Sequence, residues 1–333
     1  MTASQRRRRI SPASPAQAGR SLRRGQFYAL AAIVIWSTNF IIGRELRDAL
    51  TPGTIAAFRS LVAGVPMAVV ILAVRAWPRG RRAAAASGGF GPMVRRDVLG
   101  SMIGLGLLGI VASQYMTYLA LHWSLATNVI ILNAASPLVT ATIAVLVGMA
   151  PFSPGLFRGL LISMAGGFLV TALGASHGAR LEADPGALLI IATMVTWGFY
   201  NLGVQRLSLT LSPLVVTSGA MLAGVPFLLA IVAIEHPPHL WAAIGAHLPV
   251  LIYLAIGPSA VAYACWSAAV RDLGADYAML FNNLLPVFGM VLGSVVLHER
   301  IALVQLVSSA LIIAGILVAF RSLTSSTPPS STG

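Results

Sequence analysis

Two apolar stretches that share the tetrapeptide AGVP decide the fold of this chain: LVAGVPMAVVILAV at residues 61–74 and MLAGVPFLLAIVAI at residues 221–234. Neither contains a charged residue. Each belongs to a run of roughly 20 apolar residues, the length at which an α-helix crosses the hydrocarbon core of a bilayer. Their recurrence indicates a membrane-spanning protein whose two halves are related.

The composition supports a membrane protein and excludes several function classes. Hydrophobic residues make up 57% of the 333 residues and charged residues 9%, whereas soluble domains contain about 25% charged residues. All 22 basic residues are arginine, so the lysine of a phosphate-binding P-loop or a Schiff base is absent. The single cysteine, Cys265, excludes an intrachain disulfide and a cysteine-based metal centre. We expect neither a metal site nor a cofactor.

The length criterion predicts ten spans, and hence an all-α integral membrane protein. Numbered from the N-terminus, they are Phe27–Gly43, Ile55–Val74, Val98–Leu119, Ala126–Val147, Leu156–Leu173, Gly186–Val204, Leu214–Ile234, Leu248–Val270, Tyr277–Leu297 and Ile301–Phe320.

The placement of arginine predicts the orientation of these spans. Most arginines lie in residues 1–24, in the loop 75–96, and beside the ends of spans that would share one side of the membrane. Because loops rich in arginine face the cytoplasm, we predict that both termini are cytoplasmic, in a multi-pass protein of the cell membrane, specifically a bacterial inner membrane.

The two ends have the composition of disordered tails. Residues 1–24 combine arginine with Ser, Pro and Ala, and residues 322–333 read SLTSSTPPSSTG, so we predict that both are disordered. A basic segment beside a span is expected to meet anionic lipid rather than nucleic acid.

Ordered pairs of identical residues extend the repeat. Trp36/Trp197 and Pro52/Pro213 share one spacing along the chain, and a second, slightly shorter spacing is common to Ala126/Ala275, Asn133/Asn282, Pro137/Pro286 and Gly166/Gly315. The pairs divide the chain into two five-span repeats, residues 25–175 and 184–321. An odd number of spans inverts the second repeat relative to the first, a plan typical of secondary transporters with a central substrate site.

The chain resembles the EamA-type transporters of the drug/metabolite transporter superfamily across essentially all ten spans. The resemblance rests on these segments: Trp36-Ser37-Thr38-Asn39-Phe40, Pro52 with Phe58-Arg59, Ala120-Leu121 through Ala126 to Pro137, and Tyr253 through Leu273-Gly274-Ala275 and Leu285-Pro286-Val287-Phe288 to Glu299-Arg300. The chain departs from the family at Leu285, where an acidic residue is usual, and at Met149-Ala150, where the family tends to have Gly-Glu after span 4. The resemblance implies transport of a small metabolite, often an amino acid and often outward.

Prolines and amides coincide within spans 4 and 9. Pro137 and Pro286 each free the backbone carbonyl of the asparagine four residues earlier, Asn133 or Asn282. A freed acceptor beside an amide in hydrocarbon needs either a watered cavity or a partner on another helix. The sequence leaves both interpretations open, and Asn283 adds a further amide.

Aromatic and amide side chains share helix faces at equivalent places in both halves. We predict that they line a substrate cavity, and the alternative is ordinary core packing or an interfacial belt. The set is Trp36, Asn39, Gln114, Tyr118, Trp197, Tyr200, Asn201, Tyr263 and Trp266.

Arg59 is the arginine placed clearly inside a span. A charge there is costly unless it is paired or reaches the interface. Two roles stay open: structural anchoring, and contact with a substrate carboxylate.

Small residues predict close helix packing. Gly104-Leu-Gly106-Leu-Leu-Gly109 matches a dinucleotide-binding pattern in letters but lies inside a span, so we interpret it as a packing face. The same interpretation applies to Gly100/Gly104, Gly155/Gly159 and Gly289/Gly293.

The positions of acids and histidines argue against catalysis. All carboxylates and histidines lie in loops or at span ends, so no nucleophile–base pair is predicted within the bilayer. We predict a secondary transporter, and an exporter by resemblance. It would move a small neutral or zwitterionic metabolite such as an amino acid by alternating access, with Pro66, Pro137, Pro226 and Pro286 as hinges. A multidrug exporter of amphipathic or cationic compounds and a non-transporting scaffold are the alternative functions left open. The oligomeric state is also open, and a homodimer is one candidate.

Overall fold

The computed structural model describes residues 15–46, 48–76, 96–123, 133, 135–174, 185–285, 287–288, 291 and 303–325. Every regular element within these residues is helical.

The helices follow the predicted spans. In the first repeat, span 1 is Pro15–Leu46, span 2 is Pro52–Ala76, span 3 runs through Arg96–Leu105, Gly106–Ala112 and Ser113–Trp123, span 4 is described over Ser136–Leu146, and span 5 is Pro154–Gly174. In the second repeat, span 6 is Pro185–Leu207, span 7 is Pro213–Glu235, and span 8 runs through Leu248–Leu254, Ala255–Val261 and Ala262–Leu273. Span 9 is described over Ala275–Leu280 and Phe281–Leu284, and span 10 is Leu303–Ser325. By length and hydropathy, five of the described helices are able to cross a membrane, in spans 2, 3, 6, 7 and 8. Spans 4, 5 and 10 contribute shorter apolar helices in the described part of the chain.

Spans 2 and 7 begin in the same way. Proline is the first residue of each helix, Pro52 and Pro213, where its missing N–H costs no intrahelical bond. Just before it, the hydroxyl of Thr51 accepts from the Thr54 amide at 3.3 Å, and that of Ser212 accepts from the Val215 amide at 3.4 Å. Both repeats therefore cap this helix with a hydroxyl residue followed by proline.

Spans 3 and 8 each contain a seven-residue π-helix, which no sequence pattern predicted. The segments are Gly106–Ala112 and Ala255–Val261, and they are related by the same spacing as Asn133 and Asn282. A π-turn is wider than an α-turn and re-aims the side chains that follow it. The residues directly after the two segments, Ser113-Gln114 and Ala262-Tyr263, turn towards the centre of the protein.

The pairing of the spans has the symmetry of an inverted repeat. Span 2 packs against span 7, its equivalent. Span 1 packs against span 8, and the matching pair, span 6 with span 3, is also in contact. Each repeat thus completes its packing with helices of the other, which confirms the prediction of two interlocked five-helix repeats.

Spans 5 and 10 cross at glycines that exchange under the repeat. A β-carbon added to Gly166 would lie 2.8 Å from the carbonyl oxygen of Ser308, and one added to Gly315 would lie 2.6 Å from that of Gly159. Gly315 is the repeat equivalent of Gly166, and Gly159 is that of Ser308, so the same contact occurs once from each repeat. The close packing predicted at Gly155/Gly159 is therefore present. The prediction for Gly100/Gly104 was wrong, because an added β-carbon at either would meet no atom within 4 Å; Gly289/Gly293 lies outside the described residues.

Helix extends into both segments that the sequence predicts as disordered tails. Residues 15–24 belong to span 1 and residues 322–325 to span 10, so the prediction of disorder was wrong there; residues 1–14 and 326–333 lie outside the described part of the chain. The physical reason at the N-terminal end is a side-chain anchor: Arg24 Nε donates to Asp272 Oδ2 at 2.8 Å, which holds this turn of span 1 against the end of span 8.

A short helix that the sequence did not predict, Leu240–Ala246, precedes span 8. No residue of this helix is buried, and Trp241 is 81% exposed. An exposed tryptophan beside a span is typical of the membrane–water interface.

The described hinge candidates occupy different settings. Pro66 and Pro226 are inside the helices of spans 2 and 7 and are exposed, whereas Pro137 is buried near the start of the helix Ser136–Leu146. Pro286 lies outside the described residues. Their role as hinges stays a prediction.

Candidate functional site

A cavity lies where spans of the two repeats converge. Its volume is about 100 Å³, which is room for several water molecules. Spans 1, 2, 3 and 4 line it from the first repeat, and spans 6, 8 and 9 from the second. The lining residues are Trp36, Asn39, Arg59, Ser113, Gln114, Thr117, Tyr118, Asn133, Ile190, Thr193, Trp197, Tyr263, Asn282 and Leu285.

Three aromatic rings form one wall of the cavity. Trp36 meets Trp197 edge to face, with ring centroids 5.7 Å apart, and meets Tyr263 in the same way at 5.3 Å. Trp36 Nε1 donates to the carbonyl oxygen of Pro258 in the π-helix of span 8, at 2.9 Å. Edge-to-face packing fixes ring orientation more firmly than area burial alone, so this wall is pre-formed.

Arg59 is the ionised side chain among the lining residues. It is 3% exposed. Its Nε donates to Ser259 Oγ at 2.9 Å, and its Nη1 donates to Asn39 Oδ1 at 2.8 Å and to the Tyr118 hydroxyl. The guanidinium also lies over the Tyr118 ring, 5.5 Å from its centroid. All these partners are neutral, and no carboxylate among the described residues pairs with Arg59.

The partners of Arg59 are themselves held in place. Ser259 Oγ donates to the carbonyl of Leu254 at 2.9 Å, a bond that spans the π-helix of span 8, and the Tyr118 hydroxyl donates to Asn39 Oδ1 at 3.0 Å. Spans 1, 2, 3 and 8 therefore meet at one guanidinium. Burial limits its freedom, and preset donors and acceptors determine where it points.

Several polar groups around the cavity have no hydrogen-bond partner among the described residues. They are both amide atoms of Gln114, the Oδ1 atom of Asn282 and the Thr193 hydroxyl. Each belongs to a side chain that is more than nine-tenths buried. The Tyr263 hydroxyl, a neighbour of Gln114, points instead towards the Gly109 carbonyl, 3.5 Å away. Because buried polar groups in proteins are nearly always paired, these atoms are suited to receive a ligand or water.

Both repeats of the chain match one family of known proteins. The EamA-like transporter family matches residues 23–172 and again residues 184–321. The chain belongs to this family. It is 25% identical over 228 residues to an uncharacterized transporter, YyaM, of Bacillus subtilis (strain 168), covering 66% of this chain and 72% of that protein. It is 23% identical over 284 residues to an uncharacterized transporter of Archaeoglobus fulgidus, covering 85% and 93%, and 24% identical over 257 residues to a WAT1-related protein of Arabidopsis thaliana, covering 68% and 66%.

The fold is also that of a solved protein structure. One crystal structure superposes with a TM-score of 0.68 at 20% identity, over 93% of this chain and 99% of that chain. At that identity the similarity shows the fold alone. Family and fold together make this protein a multi-pass membrane transporter with the EamA two-repeat architecture.

The structure brings nine of the thirteen predicted site residues to the EamA cavity. These are Trp36, Asn39, Arg59, Gln114, Tyr118, Asn133, Trp197, Tyr263 and Asn282. Asn133, for which two interpretations were open, lines the cavity, and its Oδ1 accepts from Ser136 Oγ at 2.6 Å. Whether these residues bind substrate stays a prediction.

The other predicted residues lie behind the cavity wall and support it. Tyr200 stacks on Trp197, with centroids 4.9 Å apart and an interplanar angle of 18°. Asn201 Nδ2 donates to the Trp197 carbonyl at 2.7 Å, and its Oδ1 accepts from Trp266 Nε1 at 2.6 Å. Asn283 Nδ2 donates to Ser163 Oγ on span 5 at 2.8 Å, which is the role of an interhelical bond rather than of a cavity group.

Five lining residues were missed: Ser113, Thr117, Ile190, Thr193 and Leu285. Helical spacing contains the signal for four of them. Ser113 and Thr117 precede Gln114 and Tyr118 by one residue, and Ile190 and Thr193 lie seven and four residues before Trp197. Leu285, the fifth, is apolar and adds no charge to the cavity.

Proposed function

We propose that the protein is a secondary transporter that moves a small neutral or zwitterionic metabolite, such as an amino acid, outward across the cell membrane. Alternating access between the two inverted repeats exposes the cavity to one side of the membrane and then to the other. The cavity is the substrate site.

One observation carries this proposal: a polar and aromatic cavity, lined from both repeats, at the place where they meet. A cavity between repeats becomes accessible from either side when one repeat rocks against the other. Its apolar walls accept the body of a small solute, and a few fixed polar groups orient the rest. The unpartnered atoms of Gln114, Thr193 and Asn282 supply such groups.

The symmetry of the packing supports alternating access. The pairs span 1–span 8 and span 6–span 3 are equivalent, so opening one pair and closing the other gives a mirror state at similar cost. Pro66 and Pro226 interrupt the backbone hydrogen bonds of spans 2 and 7, and we propose them as hinges with Pro137 and Pro286.

The arginine distribution supports an orientation with both termini in the cytoplasm of a bacterial cell. In this orientation the exposed Arg20 and Arg23 at the start of span 1 face the anionic lipids of the inner leaflet. A homodimer remains a prediction from the sequence.

Efflux of cationic drugs is a weaker candidate. The described cavity residues include a buried arginine and no acid, and a cation in a medium of low dielectric is repelled by an unpaired guanidinium. The aromatic wall by itself would suit amphipathic compounds, so resistance to several unrelated cationic drugs on expression would favour this alternative.

Exchange of labelled amino acids in proteoliposomes tests the proposal. We expect Trp197→Ala to lower exchange about tenfold or more, because a large part of the cavity wall is removed. Phe199→Ala is the matched control, since Phe199 is an exposed aromatic residue on the same span, and it should exchange like the wild type. Equal rates for both variants would reject the cavity as the site, and absence of exchange for every small solute would reject transport.

A further inference from the structure

We propose that Arg59 binds the carboxylate of the substrate, so that the transported compounds are small monocarboxylates: α-amino acids or simple carboxylic acids with an apolar side chain. This inference rests on the proposed function, because it names the chemistry of the compound in the transport cavity, and it widens the substrate class from zwitterions to monocarboxylate anions.

The hydrogen bonds of Arg59 leave one nitrogen of the guanidinium, Nη2, open among the described residues. Nε and Nη1 are used by Ser259, Asn39 and the Tyr118 hydroxyl. Nη2 makes no hydrogen bond within the described residues, and Arg59 lines the cavity. The two N–H groups of Nη2 can donate to a carboxylate oxygen in a charge-assisted hydrogen bond. The existing bonds therefore orient the guanidinium and leave Nη2 for the carboxylate.

Within the described residues, no acidic side chain compensates the charge of Arg59. Its described partners are an amide and two hydroxyls, and none of the described lining residues is acidic. Cations buried in membrane proteins are costly and usually paired or functional. A carboxylate entering the cavity supplies the missing countercharge, and exclusion from bulk water strengthens the attraction. Leu285, which also lines the cavity, is apolar and supplies no countercharge.

The scaffold is symmetric at this depth, but the charge is not. The position equivalent to Arg59 in the second repeat is Gly219, by the spacing of the two AGVP segments, or Ala220, by that of Trp36 and Trp197. Both are buried and neither carries a charge. A substrate therefore finds one cation and binds in one orientation. A second carboxylate would meet no partner among the described residues, so dicarboxylates are disfavoured.

The remaining lining suits the rest of such a molecule. The free oxygens of Gln114 and Asn282 and the Thr193 hydroxyl can accept from an ammonium group, and the face of Trp36 adds a cation–π site. The rings of Trp197 and Tyr263 contact an apolar side chain. Because these acceptors are neutral, they assist an ammonium group but do not require one, so both an amino acid and its deaminated analogue qualify.

A ligand series on the wild-type protein provides the first test. Proteoliposomes would be assayed for exchange of L-leucine, its deaminated acid 4-methylpentanoate, L-leucinamide and 3-methylbutylamine, with the same series built on alanine and phenylalanine. We expect the two carboxylates to exchange about tenfold or more faster than the amide and the amine, since a charge-assisted bond is lost in the latter. Comparison of the exchange rates of leucine and 4-methylpentanoate shows whether the ammonium group contributes to substrate binding.

Substitution of Arg59 provides the second test. Arg59→Gln should reduce the preference for carboxylate over amide to within about threefold, and Arg59→Lys should keep a weaker preference because it keeps the charge. Arg158→Gln, which removes an exposed arginine whose Nε donates to the Pro154 carbonyl, is the control and should keep the wild-type preference. Binding is followed independently by quenching of tryptophan fluorescence, because Trp36 and Trp197 line the cavity, and folding by thermal unfolding in detergent.

The outcomes separate the inference from the proposed function. Equal exchange of leucine and leucinamide by the wild type would overturn the role of Arg59 and leave transport intact. An unchanged preference in a folded Arg59→Gln protein would also overturn it. If no compound of the three series exchanges, transport of this class fails, and the inference fails with it. The ligand series needs no variant, so misfolding of Arg59→Gln would not affect its outcome.

Discussion

The indole rings of Trp36 and Trp197 touch edge to face, with centroids 5.7 Å apart and an interplanar angle of 73°. The two residues occupy equivalent positions of the inverted repeats, so they meet at the centre of the pseudo-symmetry. Any motion of one repeat against the other changes this contact. The rings are therefore both part of the cavity wall and a contact between the two repeats.

This contact predicts non-additive effects of substitution. Trp36→Ala and Trp197→Ala should each lower exchange strongly, and the double variant should fall little below either single variant, since residues in contact couple by about 0.5–3 kcal/mol. The pair Trp36→Ala with Phe199→Ala should instead be additive, because Phe199 lies on the exposed face of span 6. Exchange rates of all variants, at matched protein density, measure the coupling. Additive losses for Trp36→Ala and Trp197→Ala would contradict the contact between the two rings.

The support of Arg59 by Ser259 predicts a selective defect. Ser259→Ala removes the acceptor of the Arg59 Nε bond, and a buried hydrogen bond to a charged group contributes about 1.5–3 kcal/mol. We expect weaker binding of carboxylates by about tenfold, seen as a raised KM for leucine, with little change for leucinamide. A loss of the same size for both compounds would indicate a structural role alone.

The crossing of spans 5 and 10 predicts a difference between two glycines. Gly315→Ala places a methyl group against the Gly159 carbonyl and the backbone of Ser163, and overpacking of this kind costs about 1–3 kcal/mol. Gly104→Ala is the control, because its added carbon meets no atom within 4 Å and alanine favours a helix over glycine. Thermal unfolding in detergent should show a lower Tm for the first variant and an unchanged or higher Tm for the second; the reverse order would refute the crossing.

The bond between Asn201 and Trp266 predicts coupled losses of stability. Both side chains are fully buried, and Asn201→Ala leaves the Trp266 Nε1 donor unpaired. We expect a loss of about 1–2 kcal/mol, the range for interhelical hydrogen bonds in membranes. Trp266→Phe removes the donor, so Asn201→Ala should cost less in that background. The double-variant cycle is measured by Tm, and equal costs in both backgrounds would show that the bond is absent in the folded protein.

The orientation predicts which fusions are active in a bacterial cell. Green fluorescent protein at the C-terminus should fluoresce, and alkaline phosphatase at the same place should be inactive. Alkaline phosphatase fused after Pro237, between spans 7 and 8, should be active, because this loop would face the periplasm. The opposite pattern would show that both termini face the periplasm.

Much of the fold follows from the repeat in the sequence. Gly166 and Gly315 are repeat equivalents, and they lie on the two helices that cross, spans 5 and 10. The repeat equivalents Trp36 and Trp197 are in direct contact. Such pairs are informative because inverted repeats bring equivalent residues to the symmetry axis. The π-helices were not predictable, because their apolar residues carry no signal that separates a π-turn from an α-turn.

The candidate site was predicted less completely, for a reason of helix geometry. On span 6 the face towards the cavity includes Ile190, Thr193 and Trp197, with spacings of three and four residues. Aromatic and amide identity directed the prediction forward from Trp197 to Tyr200 and Asn201. These two residues share the same helix face but lie one turn further along, where Tyr200 stacks behind the Trp197 ring. Helical spacing defines the face but not the depth at which the cavity ends, so the sequence did not separate the two directions.

The paired π-helices make the cavity two-sided. A π-turn closes its hydrogen bond one residue later than an α-turn, so each segment rotates the part of its span that follows. Because the two segments stand at the same spacing as the rest of the repeat, the same rotation occurs once in each half. Gln114 and Tyr263, which follow the two segments, therefore reach one cavity from opposite repeats.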